Sequence, residues 1–190
     1  EIEKWAIEAN ADITNRALES QFRCSGSDGY LSWLDNSLGV RNTANIKLDI
    51  SEYEFIVYDN PTEMRNSINK LNNNKDTARI VAGYCWKWIT ASNSKKWKEL
   101  STEEQSKLFD IEFLEYDFQM RWNLKEDGML WLLKKDSINE VGCIHTCQGL
   151  ELEHIGVIIG DDFIVRDGEI IIQPEKHPGA DRAIQSWKKV

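Results

Sequence analysis

The sequence predicts an α/β domain built on a mainly parallel central sheet flanked by helices, with an irregular insertion and a C-terminal β-hairpin. Three observations lead there. Strand-like and helix-like stretches alternate through the first half of the chain, the pattern of a parallel sheet with crossover helices. Two later stretches, VGCIH at 141–145 and HIGVIIG at 154–160, are dense in apolar and β-branched residues, as strands buried on both faces are. Between them lies a short polar connection containing a glycine. It falls where a strand of an open α/β sheet ends, which is where such sheets bind their ligands.

A chain of 190 residues is long enough for one well-buried core and short for two, so a single continuous domain over 1–190 is expected. With 41% hydrophobic and 29% charged residues, the composition is that of a globular protein, and no apolar run approaches a membrane span. The 23 basic and 32 acidic residues leave a net charge of -9, which opposes sequence-independent attraction to nucleic-acid phosphates. A nucleic-acid path on this chain therefore requires a locally positive groove or a partner domain that brings the charge. Four cysteines, Cys24, Cys85, Cys143 and Cys147, are sparse and unevenly spaced, which suits reduced thiols and a cytoplasmic setting rather than a disulfide framework. The opening EIEKWAIEAN has neither the basic nor the apolar region of a signal peptide. It also lacks an initiator Met, and the chain starts and stops inside helical patterns, so a piece of a longer protein, cut at both ends, is the expectation.

Taken in order, residues 1–11 place Ile2, Trp5 and Ala9 at helical spacing, and 13–22 alternates as a strand does, which sets Arg23 at a strand end. CSGSDGY is turn chemistry; after it Tyr30, Leu31, Trp33, Leu34 and Leu38 form the apolar stripe of a helix starting near Ser27 or Asp28. YEFIVYD at 53–59 reads as a strand. Asn60 then offers an N-cap with Pro61 at the first helical position, and Met64, Ile68 and Leu71 continue the helix. ARIVAGYCW at 78–86 has the β-branched density of a buried strand.

From 87 to 124 the pattern becomes polar, Trp-rich and irregular, with one clear helix signal in the capping box of Ser101 and Glu104. An insertion or long crossover is expected there. Order returns with MLWLL at 129–133 and with the two strands named above. FIVRDGEIIIQ then supplies two short strands around an Asp167-Gly168 turn that favours a hairpin, and a helix is expected from Ala180 toward Lys189.

The most informative segment is CIHTCQGLE at 143–151. It resembles the fifth motif of superfamily 1 helicases, T-x-H-x-x-[KQ]-G-x-E between two strands, through His145, Gln148, Gly149 and Glu151. Upstream, SQFRC at 20–24 resembles that superfamily's fourth motif, with a Gln or Tyr next to an Arg. With RIVAGYCW and the FQMRWN of 118–123, the wording is most similar to the Schlafen-like DNA/RNA helicase domain, and the likeness covers nearly the whole chain. It implies a RecA-like fold and, in particular, the second of two RecA-like motor halves.

The resemblance also implies roles. Arg23 matches the arginine that reaches across to the γ-phosphate, a role suited to a planar fork that stays charged. Gln21, two residues earlier, shares its strand face, which fits a shared nucleotide site and equally a shared solvent face. Glu151 matches the glutamate that contacts nucleotide, and Gly149 lets the backbone approach closely. His145 and Thr146 match positions that touch the nucleic-acid backbone. Cys143 stands where UvrD-type enzymes carry Thr, and Gln148 replaces their Lys, as is usual in Pif1-like relatives. A zinc reading of Cys143, His145 and Cys147 is set aside, because alternate strand residues without a second CxxC pair make a poor tetrahedral site. Trp86, Trp88, Trp97 and Trp122 admit two readings, stacking platforms for bases or core.

No glycine in this chain is followed by lysine, so the Walker A pattern G-x-x-x-x-G-K-[ST] is missing. A Walker B strand and the Thr-Arg of the sixth motif are missing too. The expectation is half of a nucleotide site that is inactive alone. ATP and Mg would bind in the intact parent, and none tightly to this piece. The N-terminal RecA-like domain of the same parent would be its partner, with DNA or RNA as substrate and no membrane. The alternative is a non-enzymatic RecA-like module that binds nucleic acid or protein.

Overall fold

The computed structural model describes residues 2–14, 27–51, 53–72, 76–90, 95–123, 128–147, 149 and 151–178. The chain divides into two compact units, Glu1–Glu54 and Phe55–Val190. In the first, α1 spans Ile2–Glu8 and α2 spans Asp28–Ser37. The Ser27 side chain accepts from the Tyr30 amide at 3.2 Å, satisfying one of the amides a helix leaves unpaired at its start. Thr43 donates to Ser32 O at 2.7 Å, and Tyr30 stacks on Tyr53 with ring centroids 4.0 Å apart. Gln21 and Arg23 lie outside the described residues, as do Gln148, most of the strand expected at 13–22, and the helix expected after Ala180.

The second unit begins with an extended stretch and not with the strand expected at 53–59. Phe55, Ile56 and Val57 are exposed, and no strand pairs with them among the described residues. α3, Pro61–Asn72, follows as expected, with Asn60 accepting from the Thr62 amide at 2.8 Å. Then come β1, Ala78–Ala82; α4, Lys95–Lys98; and α5, Thr102–Ser106, which carries the full Ser101–Glu104 capping box.

Next in order are β2, Ile111–Phe113; β3, Phe118–Trp122; β4, Glu140–Gly142; and α6, Ile144–Cys147. β5 is His154–Ile158. β6, Phe163–Arg166, and β7, Glu169–Ile172, form the hairpin, turned at Asp167 and Gly168, both with positive φ. MLWLL lies in a 3-10 stretch, Gly128–Leu133.

The central sheet has the order β2-β3-β4-β1-β5. β3, β4, β1 and β5 run parallel, and β2 joins β3 antiparallel. Two of its strands, β2 and β3, thus come from the stretch expected as an insertion. α3 covers one face: Met64 and Ile68 lie against Gly156 of β5, where an added Cβ would stand 3.0 Å from Ile68. Beneath it Ala78, Ile80, Ala82, Val141 and Ile158 make the core with Phe118, Met120 and Trp122.

Two buried polar residues hold the remaining pieces. Arg79 is fully buried and donates to Ser137 Oγ, Ala78 O and Leu132 O at 2.8, 2.7 and 2.7 Å. Burial lowers its pKa, and the charge of Asp76 opposes that shift. Asp110 accepts from the amides of Ile89, Thr90 and Trp122 at 2.6, 2.8 and 2.9 Å and from the Thr90 hydroxyl. It pins the loop after β1 to β3. Among the described residues no helix is long and apolar enough to cross a membrane.

Candidate functional site

Because four strands run parallel, their carboxyl ends open on one edge. That edge carries Asn123 after β3, Cys143 to Cys147 after β4, Gly83 to Trp86 after β1, and Ile159 to Asp161 after β5. β4 stops at Gly142, three residues before the sequence pattern suggests, and the chain folds into the single turn of α6.

The cause lies in one hydrogen-bonded knot. The Thr146 hydroxyl accepts from the Cys143 amide at 3.1 Å and donates to Cys143 O at 2.9 Å, with Asn123 Oδ1 at 3.2 Å. Asn123 Oδ1 also accepts from the Cys143 amide at 3.2 Å. Asn123 is fully buried and Thr146 is 7% exposed. Thr146 therefore faces inward, with its hydroxyl committed to shaping the turn.

His145, by contrast, is exposed. Its ring centroid lies 5.8 Å from that of Tyr84, which also approaches His177 at 6.3 Å and the buried Trp122 at 5.6 Å. The edge thus presents two histidines around one tyrosine, backed by tryptophan. The sequence reading did not single out Tyr84 or His177. Tyr84 could have been found as the second residue past the buried run ARIVA, at a strand's carboxyl end; His177, just after the 3-10 turn Pro174–Lys176, carried no local signal.

Glu151 lies elsewhere. From α6 the chain runs back toward the start of β5, where the amides of Glu153 and His154 donate to Thr77 O at 3.0 and 3.2 Å. Thr77 immediately precedes β1, so Glu151 sits within about 7 Å, two residue lengths, of a residue held at the amino end of the sheet. Of the described residues in the run 145–151, read as one ligand edge, His145 and Thr146 stand at the carboxyl edge of the sheet and Glu151 does not. Gly149 has φ +82 with nothing within 4 Å of an added Cβ, and both it and Glu151 are exposed. The backbone there is open and in a conformation that glycine takes without steric cost.

Among the described residues the cysteines Cys85, Cys143 and Cys147 are free thiols. Burial pushes the Cys147 thiol up to about 11 and also raises that of Cys85. Among the described residues no group of three or more His, Cys, Asp or Glu side chains is placed to hold a metal ion. Trp122 is core, and Trp86 and Trp88 pack partly against it.

An α/β unit whose parallel strands end in a polar, histidine-bearing edge, with an antiparallel edge strand and a hairpin, is consistent with a RecA-like domain. The chain belongs to the Schlafen group 3, DNA/RNA helicase domain family, whose profile matches residues 1–190. That membership supports a helicase-like function in general terms. The chain is also 23% identical over 159 residues to an uncharacterized protein of Saccharomyces cerevisiae, an alignment covering 75% of this chain and 31% of that relative. The chain thus spans about a third of the length of the curated relative it matches. No solved structure matches the chain.

Proposed function

We propose that this chain is the second motor half of an ATP-dependent nucleic-acid helicase or translocase, supplying one wall of the ATP site and part of the nucleic-acid path. The observation that carries this reading is the exposed His145 on a rigid turn at the carboxyl edge of the sheet. An imidazole there suits a phosphate or sugar contact, and Thr146 serves by holding the turn that presents it.

Glu151 and Gly149, at the other end of the same segment, are assigned to the nucleotide. The open, positive-φ backbone at Gly149 beside an exposed carboxylate fits a hydroxyl-bearing group such as a ribose. It does not fit phosphates, which the carboxylate would repel. Arg23 and Gln21 are proposed for the γ-phosphate side on the strength of their motif. The phosphate cradle and the Mg ligands would come from the N-terminal RecA-like domain of the same parent, and without them this piece is inactive. One segment that touches the strand at one end and nucleotide at the other offers a direct route for coupling hydrolysis to stepping.

The test is nucleic-acid-stimulated ATPase of the parent protein. Arg23→Ala is expected to lower turnover by a factor on the order of 10³, and His145→Ala to raise the nucleic-acid concentration needed for stimulation. Unchanged turnover in Arg23→Ala overturns the motor-half assignment. The net charge of -9 favours a second reading, a non-enzymatic RecA-like module binding nucleic acid or protein. A parent without a Walker A motif decides for that reading.

A further inference from the structure

Beside the His145 edge lies a cavity of about 170 Å³. It opens where the ends of β1 and β5 come together. Trp86 and Phe113 form two of its walls, their rings 5.7 Å apart and 75° to one another. Two aromatic planes at right angles make a corner in which a flat ring can lie on one face and meet the edge of the other, both favourable aromatic geometries. Gly160 lines it and must be glycine, since an added Cβ would stand 2.4 Å from Cys85 Cβ. The turn that follows is fixed by Gln173, which donates to Asp161 O at 2.7 Å and to Asp162 O at 2.8 Å. Burial raises the pKa of the Cys85 thiol, and the lining is mixed, the Trp86 and Phe113 rings and Ile159 standing beside Asp161 and Lys176.

Size and charge choose the occupant. Cavities of roughly 150 Å³ accept a single benzene ring, so this one takes one six-membered ring and is small for a fused purine. Asp161 at the rim repels a phosphate and can accept from an exocyclic amino group, as carboxylates do from the cytosine amine. Lys176, an exposed residue of the lining, is the cation that a flanking phosphate would meet. The ligand therefore enters ring first and leaves its phosphate outside.

We propose that this cavity receives one unstacked pyrimidine base, cytosine foremost, of a single-stranded nucleic acid that passes over His145, with Lys176 on the adjoining phosphate. The inference rests on the nucleic-acid path proposed above and adds to it a base-reading pocket that the helicase motifs do not contain.

Binding of fluorescein-labelled homo-oligomers of cytidylate, thymidylate or uridylate, and adenylate to the parent protein tests it, with deoxy and ribo forms separating DNA from RNA as the source. Oligocytidylate is expected to bind tightest and oligoadenylate weakest. Trp86→Ala should weaken the pyrimidine oligomers about tenfold, the loss expected for one stacked base, and erase the order. Asp161→Asn, on the exposed rim where folding is not at risk, should remove the preference for cytosine alone. Lys176→Gln should weaken all oligomers alike and lower the salt slope by about one.

If oligomers bind and His145→Ala weakens them, while Trp86→Ala and Asp161→Asn leave affinity and order unchanged, the pocket is overturned and the path stands. If no oligomer binds, both fall.

Discussion

The turn that carries His145 is held by two acceptors sharing one amide, and that arrangement has a measurable signature. The Cys143 N–H is buried and has two acceptors, Thr146 Oγ1 at 3.1 Å and Asn123 Oδ1 at 3.2 Å. Thr146→Val keeps the shape of the side chain and leaves the amide bonded to Asn123. The Cys143 carbonyl is not orphaned either, because the amides of Thr146 and Cys147 donate to it at 3.0 and 3.1 Å. That substitution should cost about 1 kcal/mol, one ordinary hydrogen bond.

Asn123→Ala costs more, through the space it leaves in a fully buried position, but still leaves the amide bonded to Thr146. In the double variant the amide has neither acceptor. An unsatisfied buried donor carries a penalty of about 1–3 kcal/mol, and that penalty appears only when both are gone. The double variant should therefore lose about 1–2 kcal/mol more than the sum of the two single losses. Urea unfolding followed by tryptophan fluorescence measures all four corners of the cycle. Losses that add to within about 0.5 kcal/mol would refute the shared-acceptor account of the turn.

Three further outcomes follow from the packing and titration of the same unit. Gly142→Ala puts a Cβ 2.6 Å from the ring of the fully buried Trp131 and 2.8 Å from Cys147 Sγ. It should destabilise by about 1–3 kcal/mol through overpacking, seen as a lower unfolding midpoint; an unchanged midpoint counts against that contact. Asp110→Asn turns an amide toward donors that now meet carboxylate oxygens, for a loss of about 3 kcal/mol and proteolytic opening of the loop after β1.

Cys147, ordinarily at 9.0 and held at about 11 by burial, favours folding through its neutral thiol. That contribution is fully present below pH 9.0 and is lost as the pH rises through about 11. Cys147→Ala should flatten the fall of the urea midpoint over this interval. A fall of the same size in the variant assigns the alkaline loss to other groups.

What the sequence disclosed was what is locally determined. α2 and α3 begin where Ser27 and Asn60 cap them, the capping box at Ser101 is closed as read, and the Asp167-Gly168 hairpin has its expected positive-φ turn. β3 was legible in principle: Phe118, Met120 and Trp122 alternate with Gln119 and Arg121, period two in a run of five. The surrounding polar stretch masked it. YEFIVYD errs the other way. Its composition is that of a strand, but strand formation depends on a neighbour's ladder and on a buried face, and Phe55, Ile56 and Val57 have no buried face.

The site itself shows the limit of local reading most clearly. VGCIH continues as a strand by composition, and nothing within it signals a stop. The stop is imposed by Asn123, twenty residues away, whose carbonyl captures the Cys143 amide as β4 ends and so deprives a continuing ladder of that donor. His145 lies just past the carboxyl end of β4, as chain order in a parallel sheet leads one to expect of a residue that follows a strand. Motif resemblance ran Thr146 together with its neighbour, because along a strand or a motif adjacent residues look equivalent, whereas on one turn of helix they point in different directions. The histidine is exposed, and the turn that presents it is held by the buried threonine beside it.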